Sequence, residues 1–135
     1  GQARALRAAL RQAGLQPRDV GYCNAHGTAT RIGDVVERNA LADVWGDHLD
    51  TLRVSSTKAL HGHMLGAAGA IEALVTVLAL HQRQLPPNAN CREIDPDCSL
   101  NLVMQDESAA PSLEAAISNS FAFGGTNSVL LFRRA

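Results

Sequence analysis

Hydrophobic and polar positions follow two different periods along this chain. Apolar residues at helical spacing predict three helices, over residues 3–13, about 33–45 and about 63–82. Short apolar runs predict four strands, over residues 19–24, 52–56, 114–122 and 127–132. The glycine turn "FGGT" between the last two strands indicates an antiparallel pair. Helices that alternate with strands in this way predict a layered α/β domain.

The third predicted helix is apolar on every face between Gly66 and Leu80, which predicts a helix enclosed by protein. Glu72 lies in its middle, and a buried ionised carboxylate needs a partner to offset its lost hydration. Lys58 and His63 lie just upstream and could form a cluster with it. A purely structural ion pair and a functional Lys–Glu–His cluster explain these residues equally well.

Two further segments carry candidate chemistry. His26 stands in "NAHGTAT", directly after a predicted strand, where α/β sheets bind their ligands. A histidine that only stabilises the turn is the alternative. The glycines of "NSFAFGGTN", residues 119–127, suit a backbone nest whose N–H groups bind an anion or oxyanion, with a plain β-turn as the alternative.

Composition narrows the possible partners and compartment. The 135 residues suffice for one domain, and the formal net charge of -1 offers nothing to attract nucleic acid or an anionic membrane. No uninterrupted apolar run reaches the ~20 residues of a membrane span. Three cysteines without a C-x-x-C pair favour a reducing cytoplasm and argue against structural zinc. The histidines lack other ligands at metal-binding spacing, so we expect no metal and no cofactor.

The order of the predicted elements suggests a cut chain. The first element is a helix, although a βαβ arrangement would supply a strand before it. The sequence also begins without Met. We therefore expect that a preceding strand is absent, and that the chain by itself exposes apolar surface and either aggregates or remains loosely packed.

Three motifs together resemble a known family. In order, they are "NAHGTAT" (24–30), "KALHGHMLGAAG" (58–69) and "FAFGGTN" (121–127). Their order and spacing are similar to those in the C-terminal half of the elongating β-ketoacyl-acyl carrier protein synthases of the thiolase superfamily. The resemblance implies a thiolase-like α/β fold with a layered mixed sheet and a buried helix. It also implies that residues 1–135 are a C-terminal domain without its first strand and N-terminal half.

The resemblance implies a decarboxylative Claisen condensation of an acyl group with malonyl-acyl carrier protein, in fatty acid or polyketide biosynthesis. His26 and His63 match the catalytic histidines that bind the malonyl thioester and stabilise its enolate. Lys58 matches the motif lysine, and Glu72 the acidic residue that organises the network. Phe123 matches the acyl gate whose backbone N–H contributes to the oxyanion hole. The expected substrate-binding residues are Thr28, Thr30, Phe121 and Gly124. His61 matches no functional position.

The chain also departs from the family pattern. The family's nucleophilic cysteine lies in the N-terminal half, in a strand-to-helix turn, and Cys23, Cys91 and Cys98 occupy no such context. Ala29 stands where the family usually has Ser or Gly, and Ala122 stands where it usually has Gly. The methyl group of Ala122 could restrict the turn beside the gate.

The resemblance implies a cytoplasmic homodimer when intact. Its partner would be an acyl carrier protein that carries an acyl or malonyl phosphopantetheine, with no nucleic acid and no membrane. Two alternatives stay open: a non-condensing partner subunit like a chain-length factor, and a free-standing domain that binds a small molecule.

Overall fold

A four-stranded mixed sheet organises the computed structural model, which describes residues 1–135. Its strands are β1 (Tyr22–Asn24), β2 (Arg53–Ser55), β3 (Ala115–Phe121) and β4 (Asn127–Arg133). The α-helices are α1 (Gln2–Ala13), α2 (Arg31–Trp45), α3 (Lys58–His61) and α4 (Ala68–Gln82). The strand order is β2–β1–β3–β4; the first three are parallel and β4 runs antiparallel to β3. The predicted α/β class and antiparallel last pair are therefore confirmed.

Helices cover both faces of the sheet, so the inner strands are buried on both sides. All three residues of β1 are buried, as are the first five of β3. Strands covered on both faces read as continuous apolar runs, which explains why these segments lack alternation. In β4, at the sheet edge, exposed and half-buried positions alternate along most of the strand.

The larger core lies between the sheet and the pair α1 and α2. Leu6 and Leu10 of α1 and Leu41 and Trp45 of α2 pack there against sheet residues that include Ile117. The amphipathic pattern of α1 predicted this stripe. The helix ends at Gly14, whose left-handed φ of 66° lets its N–H bond to carbonyls of the last turn, as expected of a glycine C-cap.

Helix α4 covers the opposite face of the sheet and starts later than the sequence predicts. The helical pattern suggested a start near His63, but α4 begins at Ala68. Gly62 and Leu65 have positive φ values of 74° and 49°, which no α-helix accommodates. His63 consequently lies in an irregular turn, and a short 3₁₀ helix over Leu65–Ala67 leads into α4.

The burial predicted for α4 applies to one of its sides. The row that faces the sheet is buried and comprises Ala68, Glu72, Thr76, Ala79 and Leu80. On the other side Leu74 is 53% exposed, and Val77 and Leu78 are 43% exposed. The apolar residues on every side of α4 thus have two different environments. One side packs against the sheet, and the other is exposed in this chain.

The stretch Leu65–Gln82 is long and apolar enough to cross a membrane by length and composition, with a mean hydropathy of 1.4. Core helices of globular proteins meet the same criterion. Glu72, fully buried in the middle of α4, and the packing of α4 against β3 identify it as a core helix.

The exposed side of α4 predicts that the 135-residue chain self-associates when it is produced alone. An unpartnered apolar face of this kind binds other apolar surfaces. We expect Leu74→Lys with Leu78→Lys to reduce both oligomer formation and binding of an apolar dye. Sedimentation velocity and dye fluorescence measure the two effects. The matched control, Gln12→Lys with Asn39→Lys, adds the same positive charges at exposed positions of α1 and α2, away from the apolar side of α4, and should help less. A wild-type chain that sediments as a monomer and melts cooperatively would contradict this expectation.

Candidate active site

The candidate residues meet at one edge of the sheet because β1 and β2 run parallel and end together. His26 follows the carboxyl end of β1, and Lys58 follows that of β2. The Ser56 hydroxyl donates to the carbonyl of Gly27 at 3.0 Å and ties the two following loops together. This edge is where open α/β sheets bind their ligands.

His26 and His63 form an edge-to-face pair. Their ring centroids are 5.9 Å apart and the ring planes are perpendicular. Phe121, at the end of β3, lies beside His26 with a centroid separation of 6.0 Å. His63 itself is exposed, and its Nδ1 accepts the backbone N–H of Leu65 at 3.1 Å. The two imidazoles therefore face one small region from different loops.

The environment of His26 favours the neutral ring. Partial burial, followed by the positive charges of Lys58 and His63, lowers the pKa of His26 to about 4. At neutral pH the ring therefore carries a single N–H, which can donate to an oxygen, while its other nitrogen is an acceptor.

Lys58 and Glu72 form a buried ion pair. Lys58 Nζ donates to Glu72 Oε1; the lysine is 9% exposed and the glutamate fully buried. Asn24 Nδ2 donates to the Glu72 carbonyl at 3.3 Å and links the pair to β1. The predicted partnership of Lys58 with Glu72 is thus present, whereas His63 makes no hydrogen bond to either residue.

Glu37 is a site residue that sequence reasoning missed. Its carboxylate is 4% exposed and accepts the backbone N–H groups of His26 and Gly27, both at 2.9 Å. It also accepts from Asn119 Nδ2 at 3.0 Å. Burial raises the pKa of Glu37, and the three donated hydrogen bonds oppose that rise. An acidic residue on the same row of α2 as the buried Leu41 was an available signal.

The other expected residues lie in the loop after β1, at the end of β3 and in the turn that follows it. Thr28 and Thr30 follow His26, and their hydroxyls are 3.1 Å apart. Phe121 is buried, whereas Phe123 is fully exposed in the turn after β3. In that turn Gly124 has a left-handed φ of 74°, a value at which a side chain would be strained.

A cleft of about 460 Å³ opens beside Lys58 and His63. Charged and polar groups line it, among them Asp34, Arg38 and Asn88. Cys91 and Cys98 also reach the cleft, whereas Cys23 is buried in β1, where burial raises the pKa of its thiol. Cys23 is therefore unsuited to act as a nucleophile.

Several buried oxygens near the ion pair have no hydrogen-bond donor in the protein. They are Asn24 Oδ1, Glu72 Oε2 and Ser118 Oγ, and Ser118 is the register neighbour of Asn24. Oxygens of this kind are satisfied by ordered water or by a hard cation. No group of three or more His, Cys, Asp or Glu side chains is arranged to hold a metal ion.

Comparison with known proteins gives one consistent family. A family model described as "Beta-ketoacyl synthase, C-terminal domain" matches residues 1–92. Nodulation protein E of Rhizobium meliloti is 46% identical over 130 residues, which cover 96% of this chain and 32% of that protein. The 3-oxoacyl-[acyl-carrier-protein] synthase 2 of Synechocystis sp. is 44% identical over 134 residues, covering 99% of this chain and 32% of that protein.

Solved structures agree with the sequence matches. The ishigamide ketosynthase/chain length factor superposes with a TM-score of 0.93 at 37% identity, over 100% of this chain and 33% of that one. The chain thus spans about a third of the length of the relatives it matches. Its fold is thiolase-like, as the motifs implied. The chain belongs to the β-ketoacyl synthase family, and it corresponds to the C-terminal domain of that family.

Proposed function

We propose that residues 1–135 are the C-terminal part of a 3-oxoacyl-acyl carrier protein synthase. The intact enzyme would condense an acyl group with malonyl-acyl carrier protein and release carbon dioxide. The observation that carries this proposal is the pair of imidazoles, His26 and His63, beside a buried Lys58–Glu72 ion pair. Membership of the family supports it, and so does the name of the Synechocystis relative.

His26 and His63 act on the malonyl thioester. Both donate an N–H to the thioester carbonyl oxygen, where negative charge develops as carbon dioxide leaves and the C–C electron pair forms the enolate. The enolate carbon then attacks the acyl thioester on a cysteine, whose thiolate leaves as the new C–C bond forms. A neutral His26 can fill this role, because the neutral ring still carries one N–H to donate.

The ion pair supports the histidines electrostatically and mechanically. Lys58 borders the same cleft as His63, and its charge contributes to the low pKa of His26. Glu72 neutralises that lysine within the sheet–helix interface. Phe123 gates the acyl group and its backbone N–H contributes to the oxyanion hole, while Thr28, Thr30, Phe121 and Gly124 bind the substrate.

We place the nucleophilic cysteine outside these residues. Cys23 is buried with a raised pKa, and Cys91 and Cys98 lie in the segment between α4 and β3, where neither occupies the strand-to-helix turn that the family's nucleophile does. Retention of both histidines and of the ion pair favours a condensing enzyme over a partner subunit of the chain-length-factor type. We also propose that the intact synthase is a cytoplasmic homodimer that binds acyl carrier protein loaded with acyl or malonyl phosphopantetheine.

Replacing either imidazole should strongly slow decarboxylation in the intact synthase. Loss of one donor to a developing oxyanion reduces the rate by roughly 10²–10³-fold, so we expect that loss for His26→Ala and for His63→Ala. Release of labelled carbon dioxide from malonyl-acyl carrier protein measures it. His81→Ala, which removes an exposed imidazole at the end of α4, is the control and should retain wild-type activity. An intact wild-type protein that carries the cysteine but releases no carbon dioxide would refute the proposed function.

The low pKa of His26 should make folding less stable in mild acid. An unfolded histidine has a pKa of about 6.5, so between that pH and about 4 the unfolded chain binds a proton at this position and the folded chain does not. Stability should therefore decrease as the pH falls through this window. Urea unfolding at pH 7 and pH 5 should show a smaller difference for His26→Gln than for wild type; equal differences would argue against this origin.

Variants of Lys58 and Glu72 can separate the contribution of the ion pair to stability from its contribution to catalysis. Glu72→Gln leaves the Lys58 charge buried without its partner and should cost about 3–5 kcal/mol of unfolding free energy. The double variant Lys58→Met, Glu72→Gln removes that uncompensated charge and should recover most of the stability. We expect it to remain deficient in carbon dioxide release. A stable double variant with wild-type activity would show that the pair is only structural.

A further inference from the structure

The turn between Lys58 and His63 raises the question of what holds His63 in place. Gly62 has φ 74° and ψ 178°, a combination that is essentially restricted to glycine. The residues that follow, from His63 to Ala67, are all exposed. A permissive glycine and an exposed segment provide little packing to orient the imidazole.

His61 supplies the missing restraint. Its Nδ1 is 2.8 Å from the carbonyl oxygen of Gly62, and its Nε2 is 3.0 Å from the hydroxyl oxygen of Thr57. A carbonyl oxygen can only accept, so the proton lies on Nδ1. In the neutral ring Nε2 then accepts the hydroxyl proton of Thr57. Both ring nitrogens are thereby used, and the tautomer follows from the contacts.

The Thr57 side of this bridge is anchored in the buried layer of the site. Thr57 is 1% exposed, and its oxygen accepts from Asn24 Nδ2 at 3.4 Å. The same Asn24 amide donates to the carbonyl of Glu72. His61 therefore connects the peptide before His63 to residues that also hold the ion pair.

We propose that His61 is a positioning residue for His63, an inference that rests on the proposed decarboxylation. The carbonyl of Gly62 belongs to the peptide plane that leads into His63. Fixing this carbonyl sets the ψ angle of Gly62 and hence the direction in which His63 leaves the turn. His61 does not touch the substrate; it acts through the backbone on a residue that does.

Three substitutions at position 61 separate the two contacts in the intact synthase. His61→Ala removes both. His61→Asn keeps an amide donor near the place of Nδ1 and can still reach the Gly62 carbonyl. His61→Gln keeps a polar group near the place of Nε2 and can reach Thr57 only. Leu60→Ala, an exposed neighbour on α3, is the matched control.

We expect His61→Ala to lower kcat for carbon dioxide release about tenfold, because a misplaced His63 would lose about the strength of one ordinary hydrogen bond to the developing oxyanion. KM should remain within about twofold, and Tm should change no more than in Leu60→Ala. His61→Asn should recover most of the lost kcat, and His61→Gln should not. A wild-type kcat in His61→Ala, or an Asn variant as slow as the Ala variant, would overturn the proposal.

Crystal structures of wild type and His61→Ala provide a readout that does not depend on activity. The separation of the His26 and His63 rings, 5.9 Å in wild type, should change in the variant. If the wild-type synthase releases no carbon dioxide, the proposed function fails, and this separation alone decides the role of His61. Unchanged ring positions would refute it.

Discussion

The buried contact between Lys58 and Glu72 is the interaction on which the site depends. It joins the carboxyl end of β2 to the buried side of α4, and the Asn24 amide extends the connection to β1. Neither charge could be buried alone without a large loss of stability. Each partner therefore requires the other, and their contact sets how α4 lies on the sheet near the two imidazoles.

A second buried carboxylate organises the opposite face. Glu37 of α2 receives the two N–H groups at the start of the His26 loop and the amide of Asn119 on β3. The segments that lead to His26 and His63 are thus each tied to a helix by a carboxylate, one helix on either side of the sheet. Both carboxylates accept hydrogen bonds from groups in the segments that carry the two histidines. Supporting residues commonly orient an imidazole in this way.

Most of the fold could be predicted from the sequence, because an amphipathic segment such as α1 carries a strong helical period and β3 is a short run with several apolar residues that ends at a glycine turn. The start of α4 could not, because it depends on the positive φ of Gly62 and Leu65, and a helix pattern continues through those positions. The motifs predicted His26, Lys58 and His63 as site residues, and the apolar surroundings of Glu72 in the sequence singled out that carboxylate. Glu37 was missed because two of its donors are backbone N–H groups, which no residue type signals, and the third is the amide of Asn119, 82 residues further along the chain. The methyl group of Ala122 does not restrict the turn beside Phe123, because Ala122 has an extended backbone conformation in which a methyl group causes no strain.

The distribution of the three thiols makes the chain a convenient object for site-directed labelling. Cys23 is sealed in the sheet, whereas Cys91 and Cys98 lie at the rim of the cleft on the loop that faces α2. A maleimide-linked fluorophore or spin label added to the native protein will attach beside the cleft without any engineered cysteine. Cys23 becomes available to the same reagent only when the sheet opens. The rate at which Cys23 is modified therefore reports the rate or extent of global unfolding.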